Sequence, residues 1–281
     1  MSSDGPQPMT YHPEEVARQV HIKGGCDGIP SLRTMSPTLA SAPGSCCFTG
    51  VKHTGTPVGR IEDLGGLQTY ISEPPTSETA PKVILFLADV WGPLFLNNQL
   101  IQDYFASCGY IVLGPDYFFG NAIPNHPPNY DRQAWIESAR KPAMDVFPDW
   151  LEAVKAKYGR DTKYCAVGYC FGAPFVMNLC ADGSVVAGAL AHPAFLEESH
   201  FEKLSGPLIL SCAEEDHTFP HASRRRAEDI MVARKCTYYF QVFSGVKHGF
   251  AVRGDPDVQT ERWAKEESAR GIVGWFDRFT V

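Results

Sequence analysis

The sequence predicts an α/β fold: a mostly parallel central sheet with helices on both faces and an antiparallel hairpin at one edge. Three observations carry this reading. The run "VILFLA" at 83–88 is continuously apolar, as expected of a strand covered on both faces. Downstream of it, strand-length apolar runs alternate with helix-length segments, the pattern of βαβ units. A chain of 281 residues with 44% hydrophobic and 12% aromatic content can also bury one sizeable core.

Residues 1–45 are rich in Pro, Ser and Gly with weak periodicity and read as an N-terminal arm or leader, with one domain over 46–281. "GRIEDL", Gly65-Gly66 and "LQTYIS" form a hairpin pattern, and "SEPPTSETAPK" is a connecting loop. "NNQLIQDYFASCG" is helical and ends at Gly109; "YIVLGPD" is the next strand, followed by a long loop, "YFFGNAIPNHPPNYDRQ". "KPAMDVFPDWLEAVKAKYG" predicts a helix interrupted near Pro148. Strand "YCAVGY", helix "APFVMNLCA", strands "VVAGALA" and "PLILSCA", helix "ASRRRAEDIMVAR", strand "CTYYFQVFS" and helix "ERWAKEESARGIVGWFDRF" complete the chain. No internal repeat is present.

Composition excludes several classes. A net charge of −7 without Lys/Arg runs argues against a nucleic-acid partner. No apolar run approaches the length of about 18 residues that a membrane span needs. The first stretch lacks a basic region followed by an apolar block, so it does not read as a secretory signal. Nine cysteines, an odd number, read as thiols kept reduced in a cytoplasmic protein. The adjacent Cys46-Cys47 reads as two small residues of a leader segment rather than a redox or metal site. Cys108, Cys165, Cys180, Cys212 and Cys236 mostly lie in apolar runs as small hydrophobes. The expectation is no metal, no cofactor, and a small-molecule partner, in a monomer or homodimer.

The chemistry centres on Gly168-Tyr169-Cys170-Phe171-Gly172, the cysteine form of the G-x-S-x-G nucleophile turn, with an apolar strand before it and a helix after it. Such a turn lifts the central sulfur above the sheet at a helix N-terminus, where the dipole favours thiolate. "PLILSCAEEDHTFP" places Asp216 just past a strand, and "CTYYFQVFSGVKHGF" places His248 just past the next. Nucleophile, acid, histidine is the chain order of α/β-hydrolases. His248 would take the thiol proton and later return it to the leaving group. Asp216 would orient the imidazole, with Glu214 and Glu215 as competitors for that role. The Phe171 N–H and the Val90 N–H, in the loop "ADVWG", are the candidate oxyanion donors. Asp89 reads equally as a thiol-activating carboxylate or a turn residue.

Taken together, "DVWG", "GYCFG", "EEDHTFP" and "KHGFAVRGD" resemble the dienelactone hydrolase family, cysteine members of the α/β-hydrolase fold. "CCFTGVKHTGTPVGRIEDLGGLQTYIS" is similar to its eukaryotic, especially fungal, branch, so the resemblance covers roughly 46–281. It implies a Cys170, Asp216, His248 triad and hydrolysis through an acyl-cysteine. Two departures stand out. In the bacterial members a glutamate that helps form thiolate occupies the position of Asp89. Those members also hold a substrate carboxylate with arginines, whereas this chain has Tyr117, Phe118, Phe119 and Gly120 after "GPD", and Arg253 is displaced by one position. Arg253 then either reaches the pocket or pairs with Asp255 or Asp257. Trp91 and the 117–119 aromatics suggest an apolar pocket suited to a ring or acyl chain, or else core packing. His192, past another strand end, is a further pocket candidate, and His126 reads as a lid or a solvated loop residue. The expected function is a cysteine-dependent hydrolase of a small lactone, ester or thioester. Acyl transfer or cyclisation by the same triad, and a silent binding protein, are the alternatives.

Overall fold

The computed structural model describes residues 35–75, 81–127 and 129–281. In chain order the elements are strands β1 (Thr38–Ala40), β2 (Arg60–Leu64), β3 (Leu67–Ser72) and β4 (Lys82–Leu87), helix α1 (Leu96–Ser107), strand β5 (Ile111–Pro115) and helix α2 (Arg132–Tyr158). Strand β6 (Lys163–Tyr169), helix α3 (Ala173–Asp182), strands β7 (Ala187–Ala191) and β8 (Leu196–Glu197) and helix α4 (Glu198–Glu202) follow. Strand β9 (Leu208–Glu215), helix α5 (His221–Ala233), strand β10 (Tyr238–Lys247) and helices α6 (Phe250–Arg253) and α7 (Gln259–Thr280) complete it.

Among the described residues, eight strands form one sheet in the order β10-β9-β7-β6-β4-β5-β3-β2. Pairing is parallel from β10 to β5, while β3 and β2 add antiparallel at one edge. The edge is the expected hairpin, closed at Gly65 and Gly66, both at positive φ as a two-residue turn of this kind requires. Alternate residues of β4 serve two cores. Val83, Leu85 and Leu87 pack with side chains of α2, α3 and α5; Ile84 and Phe86 pack with α1 and α7 on the other face. The α/β expectation therefore holds in class, in parallelism and in the placement of the hairpin.

Two expectations are corrected. Helix α2 runs unbroken through Pro142 and Pro148 and starts nine residues before "KPAMD". The Asp131 side chain caps its start by accepting from Ala134 N at 3.0 Å. Trp135, Ile136, Ala143, Phe147, Trp150 and Val154 anchor its length in the core, which offsets the hydrogen bonds the prolines forfeit. The compact body also begins at Ser36 rather than residue 46. Strand β1 pairs antiparallel with β8, burying Leu39 and Ala40. Of the expected leader, residues 1–34 lie outside the described residues. Among the described residues no helix is long and apolar enough to cross a membrane.

Candidate active site

Strand β6 ends at Tyr169, and the chain turns sharply into α3 through Cys170, whose φ of 47 lies in the left-handed region. Steric demands explain the glycines on either side. A Cβ on Gly172 would collide with the Leu87 carbonyl oxygen, and one on Gly168 would lie 2.7 Å from the Gly172 carbonyl oxygen. β4 and β6 are parallel neighbours with Leu87 opposite Gly168, so the loop carrying Asp89 and Val90 runs beside the turn carrying Cys170 and Phe171. Cys170, Val90 and Phe171 are all buried.

The loops after β9 and β10 bring Asp216 and His248 together. His248 Nδ1 lies 2.9 Å from Asp216 Oδ1, and both side chains are buried. The same carboxylate oxygen accepts from Thr218 N at 2.9 Å, Thr218 Oγ1 at 2.7 Å and Phe219 N at 3.1 Å, which fixes Asp216 in its loop. Glu214 and Glu215 are exposed, and Glu214 accepts from Gly245 N instead. Burial alone would lower the His248 pKa, but the Asp216 hydrogen bond and the neighbouring Cys47 outweigh it and raise the imidazole well above its ordinary range. Burial would raise Asp216, but the His248 hydrogen bond and charge, with Thr218, draw it below the usual carboxylate range. Thr218, part of "EEDHTFP" but given no role by the sequence reading, also lies 2.9 Å from His248 Nδ1 and 2.8 Å from Pro193 O.

Asp89 and Arg253 find each other rather than the partners considered for them. Asp89 Oδ2 pairs with Arg253 Nη1, and Asp89 Oδ1 accepts from Trp91 N and Asn98 Nδ2, each at 3.1 Å. Arg253 is buried, donates to Thr49 O at 3.1 Å, and lies over the Trp91 ring at 5.4 Å. It is not a surface partner of Asp255 or Asp257. Asp89 thus holds its loop and a buried guanidinium.

Cys47 is the residue that sequence reasoning missed. The segment after β1 is hydrogen-bonded to the loop after β4, to α1 and to the residue after α6. Trp91 Nε1 donates to Cys47 O at 2.7 Å, Asn97 Nδ2 to Val51 O at 2.8 Å, and His53 Nε2 lies 2.8 Å from Gly254 O. This places Cys47 Sγ 3.8 Å from Cys170 Sγ, with a His248 ring nitrogen within 4.8 Å of both. Cys47, Cys170 and His248 therefore form a possible soft-cation donor set, as Asp216, His217 and His248 form a second. A metal at the first would occupy the Cys170 sulfur itself.

The aromatic loop divides. Tyr117 is buried, donates to Ala88 O at 2.5 Å and stacks on Phe171 and Phe175; Phe118 packs against Phe171 and Trp135. Both pack against Phe171, next to Cys170 in the strand-to-helix turn. Phe119, at positive φ and 57% exposed, points away from the core. His192 is fully buried with its ring 4.8 Å from that of His248. Burial, then the charges of His248 and Arg253, hold it neutral well below the ordinary histidine range. His126 stacks on Tyr130 within its own loop.

This geometry has relatives. Residues 67–280 match the dienelactone hydrolase family. A curated protein described as "Dienlactone hydrolase 1" from Gibberella moniliformis is 38% identical over 250 residues, 86% of this chain and 95% of its own length. "Hydrolase pyvD" from Aspergillus violaceofuscus is 34% identical over 239 residues, 84% of this chain and 97% of its own. The fold is shared with the crystal structure of a dienelactone hydrolase from Anabaena variabilis, at a TM-score of 0.58 and 12% identity over 81% of this chain and 99% of that one. With the family match extending from β3 to the end of α7, and fungal relatives matching along nearly their whole lengths, the chain belongs to the dienelactone hydrolase family of hydrolases.

Proposed function

We propose that the chain hydrolyses a small lactone, ester or thioester through an acyl-cysteine intermediate, with Cys170 as nucleophile, His248 as base and acid, and Asp216 as its orienting partner. The observation that carries this reading is the buried His248–Asp216 pair set beside a cysteine held at positive φ on a strand-to-helix turn. His248 Nδ1 is engaged by Asp216, which leaves Nε2 to handle the thiol proton. A histidine raised above its ordinary range favours that transfer. The Cys170 sulfur then attacks the carbonyl carbon, and the Val90 and Phe171 N–H groups receive the developing oxyanion. Collapse breaks the bond to the leaving oxygen or sulfur, which takes the proton from His248. Water, deprotonated by His248, attacks the acyl-cysteine, releases the acid and returns the proton to the sulfur.

Arg253 and Trp91, both bonded to Asp89, bear on substrate preference. Arg253 is neutralised by Asp89, yet its Nη2 is buried without a hydrogen-bond partner among the described residues and is available to a polar substrate group. Trp91 supplies the apolar side. Turnover of aryl esters and lactones tests the reading. Cys170→Ala should lose at least about 10⁴-fold in kcat while keeping the native circular dichroism spectrum. Retained turnover would contradict it. Heavy oxygen from labelled water should enter the released acid; unlabelled product would mean transfer to another acceptor.

A further inference from the structure

We propose that Cys47 is a resolving thiol for Cys170, and that the two form a reversible disulfide when the protein meets a peroxide. The proposal rests on Cys170 being the reactive thiol of the proposed reaction. The proposed hydrolysis assigns no chemical step to Cys47, although its sulfur lies beside that of Cys170.

The two sulfurs stand 3.8 Å apart and come from positions 123 residues apart in sequence. A disulfide bond is about 2.05 Å long, so roughly 2 Å of closure joins them, within reach of side-chain torsion and a small backbone shift. The Cys47 backbone is held on both sides of the residue. Its N–H donates to Gly44 O at 2.9 Å and its carbonyl accepts from Trp91. The contact is thus built by the tertiary structure and not by chance proximity along the chain. Cys165, Cys180 and Cys212 offer a contrast: burial raises all three thiols, which keeps them protonated and inert in the core. Cys47 and Cys170 instead share a histidine.

The chemistry balances with peroxide as oxidant. The Cys170 thiolate attacks one peroxide oxygen; an S–O bond forms, the O–O bond breaks, and the departing hydroxide takes the proton of His248 to leave as water. Neutral His248 then accepts the Cys47 proton. The Cys47 sulfur attacks the Cys170 sulfur, the S–S bond forms, the S–O bond breaks, and the second hydroxide leaves as water with the His248 proton. Two thiols are oxidised and one peroxide is reduced. An opening that admits a carbonyl substrate admits the smaller peroxide. The linked form cannot turn over, and its Cys170 is shielded from irreversible oxidation to sulfinate.

The test is intact-mass and peptide analysis of the full chain after a few-fold molar excess of hydrogen peroxide, for wild type, Cys47→Ala and Cys47→Ser. Wild type should lose the mass of two hydrogens, yield a peptide pair linking Cys47 to Cys170, and regain most of its lost turnover with dithiothreitol. Both variants should instead gain two oxygens at Cys170 and recover nothing with dithiothreitol. Cys170 reaching sulfinate equally fast in all three, a link from Cys170 to another cysteine, or an unmodified Cys170 would each overturn the proposal. An acyl adduct on Cys170 of the reduced protein separates the two ideas. Adduct without the link defeats the disulfide alone, and link without adduct defeats the hydrolase mechanism alone.

Discussion

Their mutual contact helps raise His248 and lower Asp216, with Cys47 and Thr218 adding to the two shifts, and this makes the pairing visible in pH dependence. A histidine raised in the folded state contributes stability in full below its unfolded value of about 6.5, and loses it as pH climbs through the folded value. A carboxylate lowered in the folded state contributes above its unfolded value of about 3.9, and loses it as pH falls through the folded value. Both contributions coexist between about pH 4 and 6.5. Asp216→Asn should therefore reduce the urea midpoint most in that window, with the gap to wild type narrowing toward alkaline pH; kcat should drop about 10⁴-fold. A gap constant with pH would mean that the pair carries no charge. Asp89 makes a second residue-scale case. Asp89→Ala leaves the Arg253 guanidinium buried and uncompensated, at a cost of about 3–5 kcal/mol, and adding Arg253→Met should restore most of it. Denaturation midpoints measure both. A variant of normal stability whose acylation alone is slowed would assign Asp89 to the thiol instead.

Among the elements, the strand–turn–helix around Cys170 was legible because its constraints are local: two glycines, an apolar strand, a helix. The glycines at the two ends of α3, Gly172 and Gly183, have unequal roles. Gly172→Ala drives a methyl group into the Leu87 carbonyl and should prevent soluble folding or cost several kcal/mol. Gly183→Ala, at a φ of 75 with open space around the added carbon, should cost only about 1–2 kcal/mol. Equal melting-temperature losses for the two would contradict the close approach of Gly172 to Leu87. Helix α2 was misjudged because proline is a local signal and the six buried residues that override it are paid back only in the tertiary core. The segment after β1 has no periodicity to read. His53 bonds Asn97 and Gly254, 44 and 201 residues away, and the contact of Cys47 with Cys170 spans 123. Nothing within the string "SCCFTG" reports such partners.

At the scale of the molecule, alternating strands and helices were enough for class and parallelism but not for strand order. The sheet runs β10-β9-β7-β6-β4-β5-β3-β2, and β4 lies beside β6 rather than β3. That order has a functional consequence. β6, β9 and β10 run parallel, so the residues following them, Cys170, Asp216 and His248, emerge at the same edge of the sheet. Their grouping was readable from the placement of each past a strand end. The pairing of Asp89 with Arg253 was not, because it joins the loop after β4 to a helix beyond β10. Hydrolysis through Cys170 passes through a covalent acyl-protein, which rapid-quench intact-mass analysis with an aryl ester detects directly when wild type is compared with Cys170→Ala. Wild type should show a transient gain of one acyl group, mapped to Cys170 and missing from the variant. An acyl group on another residue, or turnover with no acyl-protein at any time point, would contradict it.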